Sequence, residues 1–282
     1  MTWALDLDGV VWLAGRAIPG SAEAVRALRG AGQRVVFLTN NSGPLVRGHL
    51  EALAGIGIDA EVADLVTSAQ AAASMLLPGS RVMVIGDAGV NEALGERGIE
   101  VVPPGGPQVV APGGPGAVPP VPRPIGEVAR HPGPVPDAVV VGRTVSLDYG
   151  ALSAAATAIR AGARFIATNT DDTFPTGEGL LPGAGALVAF VAAAAGREPE
   201  VAGKPGKPMA ELVRARYGRL DVVAGDRPST DGLFAKEVGA RFGLVLSGVT
   251  RADDLPVEPA PDLVGPDLAR LVEDYLRRVQ PG

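Results

Sequence analysis

The sequence predicts an α/β protein built from two parallel-sheet domains, one inserted in the other. Three observations predict it. From residue 3 onward, short apolar runs alternate with amphipathic stretches of helical spacing, the pattern of strands covered on both faces by helices. Near Arg81 the pattern restarts, giving more units than one small sheet holds. The chain has 282 residues, 46% apolar and 20% charged, which is enough to build one large core or two modest ones.

Taken in order, residues 3–7 are apolar apart from Asp6 and predict a buried strand. Residues 21–30 have helical spacing, with Ser21 as N-cap and Gly30 or Gly32 as the stop. Residues 34–38 predict a second buried strand, which runs into Thr39-Asn40-Asn41-Ser42, and residues 45–53 and 68–76 predict helices. After the restart, strands are predicted over 81–85, 138–141 and 164–167, with helices over 91–97, 152–161 and 187–195. The closing stretch predicts strand 222–224 ending in Gly225-Asp226, helix 231–238, strand 241–246 and helix 268–278. Residues 103–136 break the pattern, holding nearly half of the 26 prolines together with many glycines. Such a stretch forms neither helix nor ladder, so it predicts a surface insertion. Pro119-Pro120-Val121-Pro122 within it is a weak proline-docking motif.

Composition excludes several classes. The net charge of −6 argues against a nucleic-acid footprint. With no cysteine there is no disulfide, thiolate metal site or thiol nucleophile. The first residues lack a basic segment followed by an apolar one, so no secretory signal is expected there. The most apolar stretch, 183–196, is shorter than the roughly 20 residues a bilayer span needs. The expectation is a soluble cytoplasmic protein without a membrane partner. Abundant Ala, Gly, Pro and Arg are read as genomic bias.

The acidic residues stand in unusual places. Asp6 and Asp8 close an apolar strand and are followed at once by Gly9. Carboxylates beside a strand core are costly without a cation or donors, and the carboxyl ends of parallel strands are where ligands bind. Alone, the pair reads equally well as solvated turn residues. Other strand ends add weight: Thr39-Asn40-Asn41-Ser42 offers a hydroxyl, amides and N–H groups, Gly225-Asp226 is followed by Asp231, and Gly203-Lys204-Pro205 supplies a lysine. An oxygen-rich cluster with one lysine suits Mg²⁺ and a phosphate.

Four segments in this order resemble the haloacid dehalogenase-like hydrolases. They are Asp6-Leu7-Asp8-Gly9-Val10-Val11, Leu38-Thr39-Asn40-Asn41-Ser42, Ala202-Gly203-Lys204-Pro205 and Gly225-Asp226-Arg227-Pro228-Ser229-Thr230-Asp231. Within that superfamily the chain is similar to the group that includes 4-nitrophenyl, nucleotide, pyridoxal and glycerol-phosphate phosphatases. The resemblance implies a Rossmann-like parallel-sheet core over 1–77 and 178–282, with a large inserted α/β cap over 78–177 that contains the 103–136 loop. It also implies a magnesium-dependent phosphomonoesterase acting on a small phosphorylated metabolite, with a cap-built homodimer compatible. By position, Asp6 would be the nucleophile and a metal ligand, and Asp8 the proton shuttle, with its carbonyl on the metal. Asp226 would bind the metal and Asp231 would support its shell. Thr39 and Asn40 would bind phosphoryl oxygens, Asn41 would shape that loop, and Lys204 would offset charge. The cap loop Asn169-Thr170-Asp171-Asp172-Thr173-Phe174-Pro175 would meet the substrate through Asn169, Asp171 and Phe174, and Pro182-Gly183-Ala184-Gly185 would lead back to the core.

The chain departs from the family in the length of the 103–136 loop, in Arg143-Thr144 where relatives often carry Leu-Asp, and in Ser229 where many carry an acid. Other signals carry less. Gly86-Asp87-Ala88-Gly89 is an incomplete dinucleotide fingerprint. The two histidines, His49 and His131, cannot form a metal cluster, and His49 is expected to face solvent or bond locally on its helix. Asp253-Asp254 reads as a solvated turn, and the Ala-rich helix near Ala189 as core or interface. Two rival functions use the same residues. One is a phosphotransferase or mutase. The other is a non-enzymatic phosphometabolite-binding protein, which would have no need of the general acid Asp8. The substrate is not legible.

Overall fold

The computed structural model describes residues 1–104, 134–176 and 178–279. His131 and the 119–122 motif lie outside them, as does most of the expected insertion. In chain order the strands are β1 (Thr2–Asp6), β2 (Trp12–Leu13), β3 (Arg16–Ala17), β4 (Arg34–Thr39), β5 (Leu65–Thr67), β6 (Arg81–Ile85), β7 (Glu100–Val102) and β8 (Ala138–Val141). They continue as β9 (Arg164–Ala167), β10 (Thr173–Thr176), β11 (Gly179–Pro182), β12 (Glu200–Val201), β13 (Val222–Gly225), β14 (Arg241–Val245) and β15 (Leu263–Gly265).

Two parallel sheets organise the chain. The first runs β15-β14-β13-β1-β4-β5 and the second β12-β9-β8-β6-β7. Every pairing in the second is also parallel. The near-continuous apolar runs seen in the sequence are what strands buried on both faces require. Alternation divides their side chains between layers. Trp3, Leu5, Val35 and Phe37 pack against helices Ser21–Gly30 and Leu268–Val279, whereas Ala4, Val36 and Leu38 join the opposite face. That opposite face is shared, because one apolar cluster takes in Ala4, Val36 and Leu38 of the first sheet and Val82, Val140 and Ile166 of the second. Helices Ser68–Ser74, Ala88–Gly95 and Lys207–Tyr217 fill the space between, and helices Tyr149–Arg160 and Ala184–Ala195 cover the outer face of the second sheet. Two hairpins, β2–β3 and β10–β11, stand apart from the sheets. No helix among the described residues is long and apolar enough to cross a membrane.

The α/β architecture matches the expected fold class, but several details differ. The second unit does not end at residue 177. Helix Ala184–Ala195 still packs on its sheet through Leu187, Val188 and Val191, and β12 pairs with β9. The chain therefore leaves the second unit only at Ala202–Gly203, where paired backbone gives way to the loop carrying Lys204. Ser21 is not a capping residue: Gly20, at φ +80, takes the N-cap position, and the Ser21 hydroxyl is buried without a hydrogen-bond partner. The helix expected from Asp231 starts at Leu233, after a wide π-helical turn over Pro228–Gly232.

Strand order fixes where a ligand can sit. From β1 the chain goes to β4 on one side, and β13 lies on the other, so the order reverses between β1 and β13. In such sheets the crevice beyond the carboxyl ends at the reversal is the binding position. Asp6 ends β1, and Asp226 follows β13.

Candidate active site

Side chains from several separated segments meet at that crevice. Lys204, 2% exposed, donates from Nζ to Asp6 Oδ1 at 2.6 Å, to Asp231 Oδ1 at 2.7 Å and to the Leu38 carbonyl at 3.2 Å. All three ammonium protons are thereby used. The Lys204 backbone is clamped by one side chain, Asn40. Asn40 Oδ1 accepts from the Lys204 N–H at 2.9 Å, and Asn40 Nδ2 donates to the Lys204 carbonyl at 3.0 Å. The expected phosphate-loop residue Asn40 thus spends its amide on holding the lysine and, at 3.1 Å, Asp171.

Asp6, Asp226 and Asp231 each bring a carboxylate oxygen within 4.8 Å of the others. Backbone N–H groups fix two of them. Asp226 Oδ2 accepts from Val249 N at 2.6 Å, and Asp231 Oδ2 accepts from Arg227 N at 3.1 Å. Glycines make the room. Gly9 sits at φ +85, and a Cβ there would stand 2.4 Å from Asp226 Oδ2; at Gly225 it would stand 2.1 Å from Asp231 Cγ.

Burial sets the charges. It pushes Asp6 well above the usual carboxylate range, against the pull of Lys204 and with the push of Asp231 and Asp226. Burial followed by Asp231 raises Asp226 to about 7. Burial also opposes the Lys204 ammonium, yet Asp231 and Asp6 outweigh it and hold its pKa above the ordinary lysine value. Asp8 is raised by burial, with the indole of Trp12 donating to its Oδ1 at 3.1 Å in opposition. A buried trio of carboxylates with all-oxygen donors and a single cation is underneutralised, and that donor set fits a hard divalent ion such as Mg²⁺.

The remaining expected residues line the same cavity: Thr39, Asn41, Asn169, Asp171 and Phe174. Thr39 Oγ1 accepts from Asn41 N at 3.0 Å, which leaves its hydroxyl proton free, and Asn41 Oδ1 accepts from Gly43 N at 3.2 Å, shaping the loop. Asn169 Nδ2 donates to the Asn40 carbonyl at 2.6 Å, and Asp171 N donates to Asn169 Oδ1 at 3.1 Å. Burial raises the Asp171 pKa. Phe174 lies under the Arg143 guanidinium, 4.6 Å from the ring centroid.

Several residues in or beside the site were not singled out from the sequence as site residues. They are Trp12, Ser68 (whose hydroxyl donates to the Asn40 carbonyl at 2.6 Å), Arg227 and the 247–249 loop. That loop follows β14, and the rule of strand carboxyl ends could have found it. His49 corrects an expectation: it is 3% exposed, and burial lowers its pKa to about 4. The glycine of the incomplete fingerprint has a packing role. Gly89 N donates to the Gly43 carbonyl at 2.9 Å, and a Cβ there would stand 2.1 Å from the Pro44 carbonyl. Asp253 and Asp254 lie on an exposed 3₁₀ turn, away from the cavity.

Comparison with known proteins identifies the family. Residues 3–100 match the haloacid dehalogenase-like hydrolase family, and residues 201–271 match a HAD-hydrolase-like family. The chain is 38% identical over 278 residues to a D-glycerol 3-phosphate phosphatase of Mycobacterium tuberculosis, covering 96% of this chain and 70% of that one. It is 30% identical to a 4-nitrophenylphosphatase of Schizosaccharomyces pombe, covering 95% and 92%. A crystal structure of glycerol phosphate phosphatase from Mycobacterium tuberculosis in complex with magnesium superposes with a TM-score of 0.80 at 33% identity, covering 96% of this chain and 75% of that one. The same enzyme has also been solved in complex with calcium.

Proposed function

The chain belongs to the haloacid dehalogenase-like hydrolases and is a phosphatase of that family, and from this premise we propose that it hydrolyses a small cytosolic phosphomonoester through an aspartyl-phosphate on Asp6. The observation that carries the reading is the buried group of Asp6, Asp226 and Asp231 around Lys204, with Asp8 beside it. Asp6, Asp226, Asp231 and the backbone carbonyl of Asp8 would hold Mg²⁺. When bound, that ion supplies positive charge against which an anionic nucleophile can approach a phosphate.

The chain's own residues divide the rest of the work. Asp6 attacks phosphorus as its ester bond to the leaving oxygen breaks, and Lys204 steadies the attacking carboxylate and offsets its charge. Asp8, whose protonated form burial favours, gives its proton to the departing oxygen. Asp8 then takes a proton from water as that water attacks the phosphorus of the aspartyl-phosphate. The bond to Asp6 breaks, inorganic phosphate leaves and both carboxyl groups return to their starting states. Thr39 donates a hydrogen bond from its hydroxyl to a phosphoryl oxygen. Asn169, through the Asn40 carbonyl, and Asp171, through the Asn40 amide, tie the cap to the loop that holds Lys204.

The test is release of 4-nitrophenol and phosphate from 4-nitrophenyl phosphate, with Mg²⁺ and with EDTA, in the native chain and in Asp6→Asn. Activity is expected only in the native chain with metal. Equal yields of phosphate and phenol in the presence of an added alcohol separate hydrolysis from transfer. Turnover surviving undiminished in Asp6→Asn overturns the mechanism.

A further inference from the structure

The second sheet has its own reversal of strand order. From β6 the chain goes to β7 on one side, while β8 and β9 lie on the other. The residues just beyond the carboxyl ends of β6 and β8 are Gly86-Asp87 and Gly142-Arg143. This end of the second sheet faces the site on the first. The hydroxyls of Ser42 and Thr168 are 3.0 Å apart across the junction, and Asp87 N donates to the Arg143 carbonyl at 3.1 Å. Arg143 therefore stands where a ligand of the second sheet would be read, and its side chain lines the cavity that holds Asp6 and Asp8.

The guanidinium is held in place, but its charge is poorly answered. Phe174 carries it at 4.6 Å, which sets its plane. Its nearest acid is Asp87, with Nη2 to Oδ2 at 3.8 Å, beyond hydrogen-bonding distance. Its Nε is buried and has no hydrogen-bond partner among the described residues. Gly43 makes the room, since a Cβ there would stand 2.6 Å from Arg143 Nη2. Lys204 sits on the other side of the cavity with its three protons spent on Asp6, Asp231 and Leu38. Three cations thus line the cavity: Lys204 is pinned at the phosphoryl end, Arg227 stands beside Asp231, whose Oδ2 accepts from the Arg227 backbone N–H, and Arg143 stands on the cap wall with donors to spare.

We propose that Arg143 is a specificity-determining residue that receives a carboxylate on the leaving group of the phosphomonoester. The inference rests on the phosphatase reading above. A planar guanidinium fixed at one edge presents parallel N–H donors that match a carboxylate. A carboxylate brings one negative charge past Asp8 and Asp171, where a second phosphoryl group would bring two. The Phe174, Pro175 and Leu13 side chains beside it give a short carbon chain an apolar wall.

The experiment uses a matched pair of substrates, 3-phosphoglycerate and glycerol 3-phosphate, which differ in a carboxylate against a hydroxymethyl group. The native chain is expected to favour the carboxylate member in kcat/KM. Arg143→Met should shrink that ratio at least about tenfold, the value of a hydrogen-bonded charge, mainly through KM of the carboxylate member. Arg143→Lys should fall between the two. Gly43→Ala, which pushes on the guanidinium without changing a charge, should also shrink the ratio. Calorimetric Kd values for both compounds on Asp6→Asn with Mg²⁺ measure the same preference without turnover. A Kd preference that Arg143→Met abolishes, in a chain that turns nothing over, would leave this inference standing and overturn the phosphatase reading. Turnover with no preference for the carboxylate member, or an equal fall of both members in Arg143→Met, overturns the inference.

Discussion

Three carboxylates and one ammonium share the floor of the cavity, and burial acts against the charged forms of Asp6, Asp226 and Lys204. Asp226 is affected in a way that can be measured. Burial, and after it the charge of Asp231, push its pKa up to about 7 in the folded chain, against roughly 4 for an ordinary aspartate. The native state therefore binds this proton more readily than the unfolded chain, and the stabilisation that protonation brings is lost as pH rises from about 4 to about 7. A divalent ion held by Asp226 would compete with the proton for the same oxygens. Thermal scans in EDTA should show stability from this group falling between pH 5 and pH 8, and Mg²⁺ should raise Tm more at pH 8 than at pH 5. Asp226→Asn should flatten both trends. Lys204→Met leaves Asp6 and Asp231 buried with no cation, and breaking a buried pair on one side costs about 3–5 kcal/mol. Denaturant titration should find that loss in EDTA, with Mg²⁺ restoring part of it.

At the scale of elements, the site is a set of strand ends, each trimmed so that an acid can turn inward. Gly9 is the sharpest case. Its left-handed backbone costs a side-chain-bearing residue about 1–2 kcal/mol, and its missing Cβ is the space taken by Asp226. Gly9→Ala should lower stability by at least that amount and weaken the Mg²⁺-induced rise in Tm, as calorimetry would show. Strand ends are also where the sequence was most legible. Residues 3–7, 34–38 and 222–224 are apolar enough to be seen as strands, and the polar residues that follow each could be named as ligands. β5, β12 and β15, of two or three residues each, are too short for periodicity to register. The turn over Pro228–Gly232 was missed for another reason. Pattern alone extends the helix back to Asp231, whereas the wide turn is what aims that carboxylate at Lys204. Arg143 was legible only as a departure from the family pattern. Its meaning depends on β8 ending opposite Asp8, which is a fact of tertiary structure.

The whole molecule couples two sheets through one apolar cluster and a polar seam. The seam runs through Asn169 to the Asn40 carbonyl, Gly89 to Gly43, and Val46 N to Glu92 Oε2 at 2.8 Å. The cluster joins Ala4 and Val36 to Val140 and Ile166 without a solvent layer between them. If the sheets were joined only by the active-site contacts, each could lose its structure alone, as units with few shared contacts do. A shared core predicts one transition instead. The chain allows a direct check, because its two tryptophans, Trp3 and Trp12, both lie in the first unit. Trp3 stacks edge-on against Tyr275 at 4.9 Å, so its fluorescence reports that unit. Ile166 belongs to the second sheet, is fully buried and touches no part of the active site. Ile166→Ala should cost about 2–5 kcal/mol through lost burial and the cavity left behind. In urea, the tryptophan midpoint and the far-UV circular dichroism midpoint should move down together and stay coincident. A tryptophan midpoint that stays at its native value while the dichroism shifts would mean the second sheet unfolds independently. In that case the precision of Asn169 and Arg143 over Asp8 would owe nothing to the common core.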